Sequence, residues 1–260
     1  MQIPVAVTPN GRADAVTQLD AGEEVFALPL EGNMSISDLL IHLTSPSDQE
    51  GQNVIYMQQQ NDCLRLNFPE LLEDVDPGLA WADRSFGGPP EAVNLWLGNN
   101  QSVTSFHKDH YENIFAVVRG SKKFTVLPPG DVYRLHLQHY QVAQYQPDPD
   151  SAQSATLDLP NCPLHLKKVH PESKVKWCPV DPDVREEEKF SLFFDDSLPD
   201  PMTIDVQAGD VLYLPSLWHH FVKQNNDSGD ICIAVNFWYD MAMGTNYSSF
   251  CLAEGLSDSL

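Results

Sequence analysis

Positive charge is scarce in this chain. Its 260 residues hold 15 Lys and Arg against 37 Asp and Glu, so the formal net charge is 15 − 37 = −22, and the pI is about 4.5. A surface this negative repels phosphate backbones and offers no cationic stripe to draw them, which excludes nucleic acid and fits a basic peptide or protein as partner. Cysteine is sparse as well: Cys63, Cys162, Cys178, Cys232 and Cys251 are odd in number and form no C-x-x-C pair. That is the pattern of a reducing compartment, and the chain reads as cytoplasmic, with the nucleus also open to it. Nowhere do about 18 apolar residues run together, and Met1 is not followed by a basic start and an apolar leader, so no membrane partner is expected. Apolar residues are not lacking, at 42% hydrophobic and 10% aromatic, which excludes disorder as the main state.

Gln2–Thr8 reads as a strand closed by the turn Pro9-Asn10-Gly11. Ile36, Leu39, Leu40 and Leu43 in SISDLLIHLT form the stripe of a short helix that Ser35 or Ser37 can cap. The β-rich run Asn53–Gln58 follows, then a helical start at Pro69. From Ala92 the texture changes to short strands broken by turns: 93–97, 103–108, 114–118 and 124–127, then 203–206, 211–214 and 230–239. Such a series without intervening helices predicts an antiparallel barrel or sandwich. Residues at about 138–201, rich in Pro, Asp, Ser and Gln, read as a long loop-rich insertion between two halves of one sheet system, and 1–260 as a single domain.

The sharpest chemical feature is His107-Lys108-Asp109. Strand side chains alternate, so His107 and Asp109 share a face while Lys108 points away. A pair of this kind needs a third ligand, and YLPSLWHHFV, more than one hundred residues on, offers His219 or His220. Two histidines and a carboxylate make the facial triad of non-haem Fe(II) oxygenases, which leaves positions open for cosubstrate and oxygen. Cys162, His165, His170 and Cys178 can be drawn as a zinc site, but their spacing fits no compact pattern and reads as a polar loop. The aromatic residues Trp96, Phe106, Trp218, Phe237 and Trp238 read as barrel core.

The stretch NLWLGNNQSVTSFHKDHYENIFAVVRGSKKFTVLPP, with AGDVLYLPSLWHHFV and CIAVNFWYDM, resembles the JmjC family of Fe(II)- and 2-oxoglutarate-dependent oxygenases. VAVTPNGRADAV, HKDHYEN and VNFWYDM point to its small lysyl hydroxylases. The resemblance implies a mainly β fold, the cupin or jelly-roll-like double-stranded β-helix, with a few flanking helices. It implies Fe(II), 2-oxoglutarate and O2 as cofactors and cosubstrates, with His107, Asp109 and His220 as metal ligands and catalytic centre. His220 is chosen over His219 because the family's pattern runs Leu-Pro, two residues, an aromatic, one residue, then the ligand. Lys122, fifteen residues after His107, matches the lysine that binds the far carboxylate of 2-oxoglutarate, with Thr104 and Tyr56 as hydroxyl donors. Asn113 and Asn236 match positions near metal and cosubstrate.

The activity so implied is C3 hydroxylation of a lysyl residue in developmentally regulated GTP-binding proteins, for which an acidic rim would gather a Lys-rich segment. Histone lysine demethylation and histone-tail peptidase activity are rival readings. Family members carry a further segment ahead of VAVTPNG, so a third reading is an N-terminally shortened, inactive form. A homodimer is also open.

Overall fold

In a computed structural model, residues 1–19, 22–45, 51–149, 157–169, 173–224 and 230–257 are described. Eight strands form the barrel: β1 (Ala92–Gly98), β2 (Val103–His107), β3 (Tyr111–Arg119), β4 (Ser121–Leu127), β5 (Met202–Gln207), β6 (Val211–Leu214), β7 (His219–Gln224) and β8 (Cys232–Asp240). One sheet runs β5-β4-β7-β2 and the other β6-β3-β8-β1, with every neighbouring pair antiparallel. Each sheet thus draws two strands from the first set and two from the second, which is the double-stranded β-helix expected from the sequence. The strand β7, absent from the strands predicted above, sits between β4 and β2 and closes the first sheet.

Alternation builds two layers from one set of strands. Phe115, Phe124, Val126, Val206, Leu214, Val222 and Ala234 meet between the sheets. Their out-of-phase neighbours Ile114, Val235 and Phe237 turn outward, onto a flanking layer that contains Val5, Val7, Leu39 and Ile55. That layer is the three-stranded sheet of Gln2–Thr8, Leu30–Ser35 and Val54–Tyr56, together with the helix Ile36–Thr44. Ser35 caps this helix by accepting from the Asp38 N–H at 3.1 Å, and Leu39 and Leu43 are its buried stripe. Pro69 opens a 3-10 turn, Pro69–Glu73.

The stretch 138–201 holds more strand than a loop-rich insertion predicts. Leu164–Lys168 and Lys174–Trp177 each pair with Gln138–Pro147, which runs parallel to Glu24–Leu28. Pairing with an N-terminal strand far away in sequence supplies order that local composition does not show. No helix among the described residues is long and apolar enough to cross a membrane.

Candidate metal centre and anion pocket

His107 ends β2 and His220 lies opposite it on β7 as its cross-strand partner. The register then slips: the next pair is Thr104 with Val222, so Ser105 and Phe106 together face Phe221. This β-bulge has a chemical effect. Thr104 and His107 are three apart and would face opposite sides of a regular strand, yet both line one cavity. Asp109 follows just past the strand end. Its carbonyl accepts the Leu217 N–H at 2.9 Å, which ties the two ligand segments together through the backbone. Leu217 holds a left-handed φ of 67°, a strained conformation that its surroundings must enforce. Glu112 supplies part of that restraint by accepting from Tyr213 Oη (2.7 Å), Ser216 Oγ (2.9 Å) and the Ser216 N–H (3.2 Å).

One ligand atom each from His107, Asp109 and His220 lies within 4.8 Å of the others, and this is the one such set among the described residues. Both imidazoles are oriented from behind. His107 Nδ1 lies 2.9 Å from the Ser105 carbonyl and His220 Nδ1 lies 3.0 Å from that of Trp218. A carbonyl only accepts, so each Nδ1 carries the proton and each Nε2 is left as a bare lone pair, the form a metal requires. Burial, then the neighbouring His107, lowers the His220 pKa to about 4, against smaller opposing effects of Asp109 and the Trp218 carbonyl. Two neutral nitrogens and one carboxylate, all on one side, fit a divalent iron with positions to spare.

His219 takes the other face of β7. It is 2% exposed, neither ring nitrogen has a partner, and its ring lies 6.0 Å from Phe250 of the helix Thr245–Ser257. Burial, with Lys108 next, lowers its pKa to about 3. The sequence's choice of His220 is the one the geometry brings to Asp109, at 3.7 Å.

Lys122, Phe124 and Val126 share the inner face of β4, so the lysine points into the barrel and is 2% exposed. Its Nζ donates to Tyr56 Oη at 3.0 Å and lies over the rings of Tyr56 and Phe115 at 5.4 and 5.6 Å. No carboxylate among the described residues pairs with it. A buried ammonium without an anion is costly, and its place in the cavity that His107 lines fits the far carboxylate of 2-oxoglutarate. Burial raises the Tyr56 pKa, which keeps its hydroxyl proton available for the same anion. A Cβ on Gly98 would stand 2.7 Å from the Tyr56 ring, so β1 needs glycine there to admit it.

Thr104, Asn113 and Asn236 line the same cavity. Asn236 Nδ2 donates to Asn113 Oδ1 at 3.1 Å, and Trp96 Nε1 donates to Asn236 Oδ1 at 2.8 Å. Trp96 therefore orients a polar group, beyond the core role read for it. Two further residues escaped the sequence reading. Trp177 lies with its ring parallel to His107, centroids 6.3 Å apart, and donates to Ser105 Oγ at 2.9 Å. Asp14 lines the cavity beside His107, and burial raises its pKa. The zinc drawing gains nothing: His170 lies outside the described residues, and Cys162 and Cys178 are buried free thiols.

The sequence profile of the cupin-like domain matches residues 1–245. The chain is 41% identical to lysine-specific demethylase JMJ32 of Arabidopsis thaliana over 98% of its own length and 71% of the relative's. It is 37% identical to the bifunctional peptidase and (3S)-lysyl hydroxylase JMJD7 of Homo sapiens, covering 98% and 73%. With JmjC domain-containing protein E of Dictyostelium discoideum the identity is 35%, covering 96% and 72%. The chain belongs to the cupin-like JmjC family, the Fe(II)- and 2-oxoglutarate-dependent oxygenases.

Proposed function

We propose that this chain is a protein lysyl hydroxylase that places a hydroxyl on C3 of a lysine side chain, in a basic segment of a GTP-binding protein of the developmentally regulated type. The observation that supports it best is the joining, in one cavity, of the His107, Asp109 and His220 set with the unpaired Lys122. Lysine as the target rests on the chain's charge of −22, which favours a cationic partner, and on the lysyl hydroxylase activity in the human relative's name.

His107 and His220 would hold the metal through Nε2 and Asp109 through its carboxylate, while the Ser105 and Trp218 carbonyls keep both rings in the ligating tautomer. Lys122 and the Tyr56 hydroxyl would bind the far carboxylate of 2-oxoglutarate, with Thr104 beside them. Fe(II) with 2-oxoglutarate and O2 supplies oxidative decarboxylation to succinate and carbon dioxide, coupled to insertion of one oxygen atom into a C–H bond. Trp96, Phe115 and Trp238 wall the cavity against water, which protects such a reaction from side paths.

The Arabidopsis relative's name supports a second reading, lysine demethylation. The two differ in which carbon is offered: a side-chain methylene keeps its hydroxyl, whereas a hydroxylated N-methyl group leaves as formaldehyde. Incubation with Fe(II), ascorbate, 2-oxoglutarate and Lys-rich peptides, read by mass spectrometry, separates them. A stable gain of one oxygen supports hydroxylation. Methyl loss without a stable oxygen adduct overturns it in favour of demethylation, and a shortened peptide overturns it in favour of proteolysis.

A further inference from the structure

Asp14 is an acid in the metal cavity that belongs neither to the ligand set nor to the anion pocket. The parallel pairing of Ala13 with Thr104 sets it beside the β2 bulge. Its backbone holds a left-handed φ of 52°, a strained conformation that aspartate tolerates better than most residues. The Ser105 hydroxyl donates to its carbonyl at 2.5 Å, and Gln58 Nε2 donates to its carboxylate at 3.2 Å. The carboxylate is thus aimed, and no Lys or Arg among the described residues pairs with it. Asp14, Gln58 and Gln60 also line an adjoining groove of about 390 Å³ that contains Glu31 and no basic residue.

We propose that Asp14, with Gln58, is the subsite that binds the side-chain ammonium of the substrate lysine, a proposal that rests on the lysyl reading above. An ammonium has three donors and no acceptor. The site answers with the Asp14 carboxylate and the Gln58 carbonyl oxygen, whose amide nitrogen is already committed to Asp14. The two charged ligands of the reaction are then sorted by sign. Lys122, which would repel a second ammonium, keeps the anion, while Asp14 takes the ammonium where the groove meets the cavity. The rival role for Asp14 is support of His107, whose Nδ1 already has the Ser105 carbonyl as acceptor.

Binding separates these roles without turnover. Protein loaded with Mn(II) and 2-oxoglutarate is titrated with a blocked fluorescent peptide bearing one lysine in Ala, Ser and Gly flanks, and with the same peptide carrying norleucine. The unaltered protein is expected to prefer lysine by about 10-fold or more, the weight of one charge-assisted hydrogen bond. Asp14→Asn should erase that preference while Mn(II) and 2-oxoglutarate raise its Tm as before. Asp14→Glu should keep part of it, and Gln58→Leu should reduce it. No preference in the unaltered protein, a preference that survives Asp14→Asn, or a parallel loss of Mn(II) binding in that variant would overturn the proposal. If the hydroxylation assay fails while the Asp14-dependent preference stands, the reaction is wrong and the ammonium subsite remains.

Discussion

The two ends of the cavity differ in the kind of ligand they lack. At the metal end, two imidazoles oriented by carbonyl acceptors and one carboxylate present lone pairs and a negative charge that a cation would satisfy. At the other, Lys122 is a buried cation whose nearest polar partner is a phenol. The first is set at strand ends and turns, around β2, the loop after it and the start of β7. The second is set by plain alternation along β4, whose second residue is Lys122. Each is destabilising alone in a low-dielectric interior and satisfied by a ligand of opposite sign. An apparent fault in packing can therefore describe the ligand that the fold was built around.

The strongest test of the contrast is removal of the metal end. Replacing His107, Asp109 or His220 by Ala should abolish turnover and the rise in Tm on adding Mn(II), because ligand linkage disappears with the site. His219→Ala should spare both; activity lost with His219 and kept without His220 would reverse the assignment. At the anion end, Lys122→Met should raise the KM for 2-oxoglutarate by about 100-fold, the scale of a buried charge-assisted pair. The same change should stabilise the ligand-free protein, on the order of 1 kcal/mol, since an unpaired buried charge is replaced by an apolar chain of similar length. A Tm that falls would mean that Lys122 has a stabilising partner in the apo state. Tyr56→Phe, which keeps the ring against Gly98, should raise that KM by about 10-fold and leave Mn(II) binding alone.

The smallest effect concerns the histidine that faces away. His219 has its pKa lowered from 6.5 to about 3, so between those values the unfolded chain binds the proton and the folded one does not. Stability is therefore full above pH 6.5 and falls as the pH drops. His219→Phe should remove on the order of 1 to 2 kcal/mol of the loss between pH 7 and pH 5, seen as a flatter Tm profile in the absence of metal.

Much of this was legible in the chain. Short strands bounded by Gly98-Asn-Asn, Gly120-Ser and Pro128-Pro-Gly mark the barrel because alternation and turn chemistry are local properties. Ser35 announces its helix for the same reason. The H-x-D pair, with the family likeness of YLPSLWHHFV, located the triad, and the family's spacing separated His220 from His219 and pointed to Lys122. Other features were not legible. The bulge that brings Thr104 to the face of His107 exists only as a mismatch between β2 and β7. Trp177 comes from a stretch whose polar composition reads as loop, and reaches His107 because Lys174–Trp177 pairs with Gln138–Pro147. Trp96 looks like core until its N–H is seen on Asn236.

The sequence by itself determined the phases of the strands it marked, and with them which side chains share a face, such as Lys122 with Phe124 and Val126. Those follow from a period of two along each strand and need no partner. Only the tertiary structure decided what the inward groups meet. Cross-strand register, a one-residue bulge and a parallel contact from Ala13 bring Asp14, Thr104 and the triad around one cavity, because pairing between distant segments is set by the whole packed sheet and by no segment alone.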